Sequence, residues 1–440
     1  MDNPSVNKPL NLGIAGLGTV GIGVLRLLQN NQKTITNRAG RPIRIHAVNA
    51  KNRHKNRNID LTTFKWYEDP LYLATDPDID VVVELIGGAN GAAYKLVCEA
   101  IKNKKAVVTA NKALIALHGN ELAKMAASQN VPLLFEAAVA GGIPIIKTIK
   151  EALAADRLIE IGGILNGTCN YMLTTMTRTG RGFEDILKET QQLGYAEADP
   201  STDIDGLDAA HKLAILASLG FGYTFNFKNI FIEGIRNISP HDIHYAQELG
   251  YTIKLVGMAQ YHSENKLELR VHPALLPQSS PLARVNGVIN AIRTKGEFSG
   301  YLMLEGAGAG EGPTATAVCA DIIDIARGNT IPMWGTDWNE LRPATLVPNS
   351  DFNKAYYIRL IVEDKPGVVA DIATIFKENN VSLRSLLQHK NHMTTDSENT
   401  VPIVLVTHKN RESSLLKSLK AIYDLPAILE KPIMIRIEEP

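Results

Sequence analysis

The sequence predicts an α/β chain in three parts: a parallel sheet wound with helices, an α+β middle, and a C-terminal ferredoxin-like unit. Three observations carry this. Up to about residue 130, short apolar runs alternate with amphipathic stretches, the pattern of a parallel sheet covered on both faces. From 140 to 320, strands such as "LIEIGGIL" and "YTIKLVGMAQY" mix with long helices and a Pro/Gly-rich loop. From residue 355 on, the order of runs is β-α-β-β-α-β. A chain of 440 residues has room for two or three such domains.

The elements follow in order. "LNLGIAG" reads as a first strand and "VGIGVLRLLQNN" as the helix after it. "IRIHAVNA" (43–50) is a second strand, set late by the intervening "NNQKTITNRAGRP". "DIDVVVELIGG" (78–88) is a third, apolar enough to be buried on both faces. "AAYKLVCEAIKNKK" is a helix, "AVVTANK" (106–112) a fourth strand, and "NELAKMAASQN" a further helix. The dinucleotide-type domain is therefore expected over 1–135, completed by a helix near 313–335 that contains "ATAVCADIIDIARG". An α+β domain spans 136–320, a Pro/Asn-rich linker 336–354, and a last domain 355–440. In that domain "YYIRLIVED", "VSLRSLLQHK", "TVPIVLVTHK" and "PIMIRIEE" are the strands, and "GVVADIATIFKENN" and "ESSLLKSLKAIYDL" the helices.

Lys+Arg and Asp+Glu both number 46, so formal net charge is zero. That argues against nucleic-acid and membrane-surface partners, which need a basic excess. The N-terminus is polar, without a signal-peptide apolar core. Three widely spaced cysteines (Cys98, Cys169, Cys319) form no disulfide framework and no CxxC metal motif. A cytoplasmic location is the expectation.

Gly16-Leu17-Gly18-Thr19-Val20-Gly21 is G-x-G-x-x-G placed between a strand and a helix. The first glycine makes the tight turn, the second admits a pyrophosphate to the backbone, and the third lets helix and strand pack. The Rossmann fold and a nicotinamide dinucleotide follow. An NAD site usually ends its second strand with an acid on the ribose hydroxyls. Here the strand ends Asn49-Ala50-Lys51-Asn52-Arg53. Arg53 can fork onto a 2′-phosphate and Lys51 adds charge, so NADP(H) is expected over NAD(H), with NADH as the alternative. A plain solvated basic loop is the other reading of this run.

"GLDAAHKLAIL" (206–216) is apolar nearly all round, the mark of a buried helix. Yet it carries Asp208 and Lys212 four residues apart, on one face. The preceding loop, "GYAEADPSTDIDG" (194–206), holds Glu197, Asp199, Asp203 and Asp205. So many carboxylates repel one another unless cations answer them. Lys212 and a cationic substrate group can. Burial favours the neutral form of a lysine, which suits it to move the proton that accompanies a hydride. Asp208 would hold that lysine and Glu197 would grip an amino acid's nitrogen. Lys112, closing the fourth strand, falls at the carboxyl end of the sheet where ligands bind. A surface ion pair and a strand-end surface lysine are the competing readings of these residues. For His211 a core or surface position is expected.

"GLGTVG", "DVVVELIGG", "VVTANKALIA", "FEAAVAGGIPII", "ILNGTCNYML", "GYAEADPSTDIDGLDAAHKLAIL" and "GAGAGEGPTATAV" occur in this order. Together they resemble homoserine dehydrogenase over residues 12 to 330. The resemblance implies reduction of L-aspartate 4-semialdehyde to L-homoserine with NADPH or NADH, on the way to threonine, methionine and isoleucine. It implies Lys212 as the catalytic acid/base and Asp208 as the catalytic aspartate. Glu197 and Asp203 would bind substrate, and Lys112 would stand at the cofactor–substrate junction. The turn "NGT" would place Gly167 and Thr168 near the nicotinamide, and Gly308 and Gly310 would return to the cofactor. It also implies a monovalent cation, sodium, held by the Glu136 side chain and the carbonyls of Val139, Gly141 and Ile143. A plain tight turn is the other reading of that stretch.

"VEDKPGVVADIATIF" (362–376) resembles an ACT domain, with Asp364 ending its first strand and Pro366-Gly367 turning into the helix. That resemblance implies an amino-acid effector, threonine, at an interface between two such domains, and a homodimer or homotetramer. Alternatives to this enzyme are another semialdehyde oxidoreductase on the same scaffold, or a non-catalytic regulator that senses NADP(H) and amino acids.

Overall fold

The structure, a computed structural model, describes residues 8–329, 331–388 and 399–439. The expected end of the strand "VSLRSLLQHK", at His389 and Lys390, lies outside the described residues.

Six parallel strands form the first sheet: β1 (Leu10–Ala15), β2 (Ile43–Asn49), β3 (Lys65–Tyr67), β4 (Val81–Glu84), β5 (Ala106–Thr109) and β6 (Leu133–Leu134). Their order is β3-β2-β1-β4-β5-β6, so chain direction across the sheet reverses between β1 and β4, the crevice where Rossmann sheets bind dinucleotides. β3 and the short helix Leu71–Thr75 were not foreseen; the run that supplies them is brief and polar. The insertion before β2 forms a helix, Gln32–Ala39, stopped by Gly40 in the left-handed region.

Two strands are shorter than their apolar runs. β4 ends at Glu84, whose carboxylate accepts the N–H groups of Ile86 and Gly87 and so turns the chain out of the sheet. β5 ends at Thr109, because the Asn111 side chain accepts from Leu114 N–H and caps a helix, Lys112–Gln129. Lys112 therefore opens this helix rather than closing the strand. The helix Glu311–Arg327 completes the domain, slightly earlier than expected. A side chain on Gly23 would collide with Glu311 and Ala315, and Arg26 pairs with Glu311 at 2.7 Å.

The middle domain is an antiparallel sheet of β7 (Leu158–Ile164), β8 (Tyr251–Ser263), β9 (Lys266–Pro277), β10 (Ile289–Gly296) and β11 (Gly300–Ala307), ordered β11-β10-β7-β8-β9. The helix Leu207–Phe221 packs directly on it, with Gly220 against Ile161 and Leu213 against Gly257.

The last domain has the expected order: β12 (Asn353–Glu363), helix Val368–Glu378, β13 (Leu383–Gln388), β14 (Thr400–Thr407), helix Glu412–Tyr423 and β15 (Ile433–Ile437). β15 pairs on one side with β12 and on the other, in parallel, with β9 through Ala274–Arg436 and Leu275–Ile437. The two sheets are thus one continuous surface. The expected linker is not free either. Arg342–Pro343 pairs with Tyr223–Thr224, and Thr345–Leu346 pairs with Lys266–Leu267. Among the described residues no helix is long and apolar enough to cross a membrane.

Candidate active site

The helix Leu207–Phe221 is buried without a break from Asp208 to Leu219. Asp208 and Lys212 are 3% and 8% exposed. Asp208 is held between two cations: Oδ1 lies 2.8 Å from Lys112 Nζ and Oδ2 lies 2.8 Å from Lys212 Nζ. Lys212 also donates to the Leu165 carbonyl at 2.6 Å. Burial by itself pushes the Asp208 carboxyl up, but Lys212 and Lys112 outweigh it and hold the group well below the usual carboxylate range. Lys112 is also pushed down by burial and up by Asp208, with Asp203 and Glu197 adding to the rise; its net shift is upward. Removing Asp208 would leave the buried Lys212 ammonium without its counter-ion, whereas removing one lysine leaves Asp208 the other.

Asn166 joins the acids. Its Nδ2 donates to Asp208 Oδ2 at 2.8 Å and to Asp203 Oδ1 at 2.7 Å, while its Oδ1 accepts from Cys169 N–H and caps the helix Gly167–Thr179. Burial and the neighbouring Asp208 raise the Asp203 carboxyl. Gly167 sits against the Val288 carbonyl, where a Cβ would lie 2.7 Å away. The Thr168 hydroxyl ties the helix to the acidic loop through Tyr195 O at 2.8 Å. Glu197 is exposed on that loop. Asp205 faces away and is answered by Arg236. His211 is buried and stacks on Phe227 with ring centroids 4.9 Å apart, a core histidine.

The cofactor side meets this cluster. Gly16 has φ +99°, and a Cβ there would lie 2.4 Å from the Leu85 carbonyl oxygen; Gly21 packs on the Gly16 carbonyl. Gly18 faces open space ahead of the helix Thr19–Asn30, room for a phosphate at a helix N-terminus between Leu17, Thr19 and Val20. Ala50 is buried, whereas Lys51 and Arg53 are exposed, with the Arg53 guanidinium 5.7 Å from the centre of the Trp66 ring. Arg57 fastens the basic loop to the glycine turn, donating to Leu17 O at 3.1 Å and to Asn52 O at 2.6 Å. From Gly16 the path to the acids is short: Leu85 to Gly88 follow β4, Asn111 donates to Gly88 O at 2.7 Å, and Lys112 reaches Asp208. Gly310, at φ +123°, precedes the helix Glu311–Arg327.

The Glu136 stretch is arranged differently from expectation. Both carboxylate oxygens accept backbone N–H groups, from Ile146 at 2.9 Å and Lys147 at 2.8 Å, so the side chain is committed to capping the short helix behind it. Burial and Asp321 push this carboxyl up to about 7. The loop beyond has Ala140 and Gly141 consecutively left-handed, at φ +54° and +46°, and Val139 wholly buried. A left-handed alanine is strained and is held only where its surroundings fix it. Gly141 rests on the Gly308 carbonyl, and Gly142 N–H donates to Ala307 O at 3.0 Å.

Sequence reasoning missed the parts that work through the backbone. The carbonyl of Leu165 leaves no signal in a side-chain reading. Asn166 was read only as part of the "NGT" turn, without its bridge between Asp203 and Asp208, and Glu84, which caps the turn after β4 and also accepts from Thr109 Oγ1 at 2.6 Å, only as part of the third strand.

The homoserine dehydrogenase family model matches residues 144–323, and its NAD-binding domain model matches residues 16–136. An ACT domain matches residues 356–422. A homoserine dehydrogenase of Neisseria gonorrhoeae is 45% identical over 438 residues, covering 98% of this chain and 99% of its own. The crystal structure of a homoserine dehydrogenase from Thiobacillus denitrificans is 42% identical with a TM-score of 0.92, covering 98% of this chain and 99% of that one. A hyperthermophilic archaeal homoserine dehydrogenase in complex with NADPH is 25% identical with a TM-score of 0.61, over 72% of this chain and 97% of that one. The two lysines on one buried aspartate, beside a dinucleotide turn, thus belong to a chain of the homoserine dehydrogenase family, an NAD(P)-dependent oxidoreductase with an ACT domain.

Proposed function

We infer that Lys212 is the acid–base group of the reaction, with Asp208 as the residue that holds it. The observation that carries this is the threefold junction at Asp208: Lys212, Lys112 and Asn166 all converge on one buried carboxylate. A nicotinamide, when bound, supplies the hydride. As L-aspartate 4-semialdehyde is reduced, its aldehyde oxygen gains negative charge, and Lys212 Nζ gives that oxygen a proton. In the reverse direction Lys212 takes it back from homoserine. The Leu165 carbonyl and Asp208 fix where Nζ points, so the amine stays aimed through the proton transfer. Glu197 and Asp203 hold the substrate ammonium, with Gly167 and Thr168 forming the turn beside it. Lys112, whose side chain is 41% exposed, faces the substrate and the cofactor.

NADPH is the cofactor this reading favours, with Arg53 and Lys51 on the 2′-phosphate and the Gly308–Gly310 loop closing over the other end. The archaeal relative solved with NADPH supports the same choice. A monovalent cation, Na+, held by the Glu136 side chain and the carbonyls of Val139, Gly141 and Ile143, is part of the same proposal; the left-handed turn at Ala140 and Gly141 supports it. Threonine at the ACT domain as effector, a homodimer or homotetramer, and a cytoplasmic location complete the reading.

The test is the purified chain with L-homoserine and either NADP+ or NAD+, followed by nicotinamide absorbance. NADP+ should give the higher kcat/KM, and Arg53→Ala should narrow the gap about tenfold, as expected for a charged hydrogen bond of about 1.5–3 kcal/mol. Preference for NAD+, unmoved by Arg53→Ala, would overturn the cofactor assignment.

A further inference from the structure

Asn290 on β10 is 1% exposed and lies at the meeting point of three functional segments. Its Nδ2 donates to the Leu165 carbonyl at 3.0 Å, the same oxygen that receives Lys212 Nζ. Gly308, in the glycine loop, is pressed against its amide so closely that a Cβ there would fall 2.2 Å from Asn290 Cγ. Gly167, in the substrate turn, lies on the side of Oδ1. That Oδ1 is buried and has no hydrogen-bond partner among the described residues. Turning the amide over would set Oδ1 against the Leu165 oxygen, so the orientation is fixed by the carbonyl. A buried acceptor left unpaired is destabilising. A purely structural position would be filled more cheaply by an apolar side chain.

We propose that Asn290 is a positioning residue for the reaction: it holds the carbonyl that aims Lys212 and forms the seat of the Gly308 loop, so that cofactor loop and proton donor are set by one side chain. The proposal rests on the reading of Lys212 as the acid–base group. The Asn290 amide and the Lys212 ammonium share one acceptor, so a charge placed at residue 290 acts directly on the lysine. Gly308 has no side chain because the Asn290 amide occupies that space.

Asn290→Asp keeps the shape and replaces the donor by an anion. In the reduction direction Lys212 must be protonated, so activity falls at high pH. The anion favours the ammonium and should carry that basic limb of kcat roughly one to three pH units higher. Asn290→Ala should lower kcat at least tenfold while KM for the semialdehyde stays within threefold. Gly308→Ala should weaken NADPH binding, read by equilibrium fluorescence titration, and Asn290→Ala in the same chain should restore most of it by clearing the collision. A basic limb that is lost in Lys212→Ala but unmoved in Asn290→Asp would overturn this proposal while leaving the lysine's role intact. A limb that persists in Lys212→Ala would overturn the reading beneath it. If Asn290→Asp does not fold, the NADPH titrations decide: additive losses in Gly308→Ala and the double variant count against the proposal.

Discussion

Asp208 and Glu438 are both buried carboxylates, 3% and 6% exposed, and each faces more than one cation. Glu438 follows β15 at the joint between the middle and ACT domains. It accepts two N–H groups of Arg270, at 2.9 and 2.7 Å, and lies 3.3 Å from His272 and 3.4 Å from Lys354. Beside it Arg436 pairs with Glu412 through two hydrogen bonds and with Glu233 at 2.8 Å, and Arg359 is held by Asp242 at 2.7 Å. That cluster is sealed: Arg270, His272 and Arg436 are at most 2% exposed, and continuous β-pairing runs past it. The Asp208 cluster is open on one side. Lys112 reaches it from a partly exposed position, and the loop carrying Glu197 stands in solvent. The same chemistry of buried ions therefore makes a joint where every group is answered and a cluster with one open face, which we propose as the reaction centre.

The contrast can be broken most sharply at its open end. Lys212→Ala should lower kcat by roughly 10²–10⁴, the usual contribution of a general acid, with NADPH affinity within about threefold. Comparable loss of cofactor binding would make the lysine structural. At the sealed end Arg270→Ala should cost about 3–5 kcal/mol in urea unfolding, because buried Glu438 and Glu268 both lose the guanidinium between them and Glu438 keeps only Lys354 and His272 beside it. The folded fraction should retain kcat; if unfolding is unchanged, the joint is not held by these ions.

Acid distinguishes the two regions further. Burial works against the Glu438 charge, but Arg270, His272 and Lys354 hold its carboxyl well below the ordinary 4.5. A carboxyl depressed in the fold contributes stability that is present in full above about pH 4.5 and is lost as pH falls toward its folded value. The unfolding midpoint should drop more steeply below pH 4.5 in the wild type than in Glu438→Gln. The smallest effect belongs to the effector. Gly367 turns into the helix Val368–Glu378 at φ +95°, which a β-branched side chain adopts only with strain. With threonine as the proposed effector, Gly367→Val should raise the half-inhibiting concentration severalfold; no inhibition of the wild type, or full sensitivity in that variant, would overturn this part of the proposal.

Much of this was legible in the residues. The glycine turn, the apolar runs of β1 and β4, and the β-α-β-β-α-β tail stand where periodicity put them, because each is set by local pattern. The pairing of Asp208 with Lys212 was visible as i,i+4 spacing on an apolar helix. Lys112 was read at the carboxyl end of the sheet where ligands bind, but its meeting with Asp208 across 96 positions of chain was not legible, and its element was mistaken because Asn111 caps early. The joint was not legible at all. Arg270, Glu438 and Arg436 drew no reading from the sequence, and only the parallel pairing of β9 with β15 brings them together in an interior. The Pro/Asn-rich 336–354 segment read as linker for the same reason, since its pairing partners are distant in sequence.

The most direct measurement is a crystal structure of the ternary complex with NADP+ and L-homoserine. It should place Lys212 Nζ within hydrogen-bond reach of the substrate hydroxyl, about 2.6–3.2 Å, with that carbon facing the nicotinamide. An amine still bound only to Asp208 and Leu165, remote from the hydroxyl, would contradict the account.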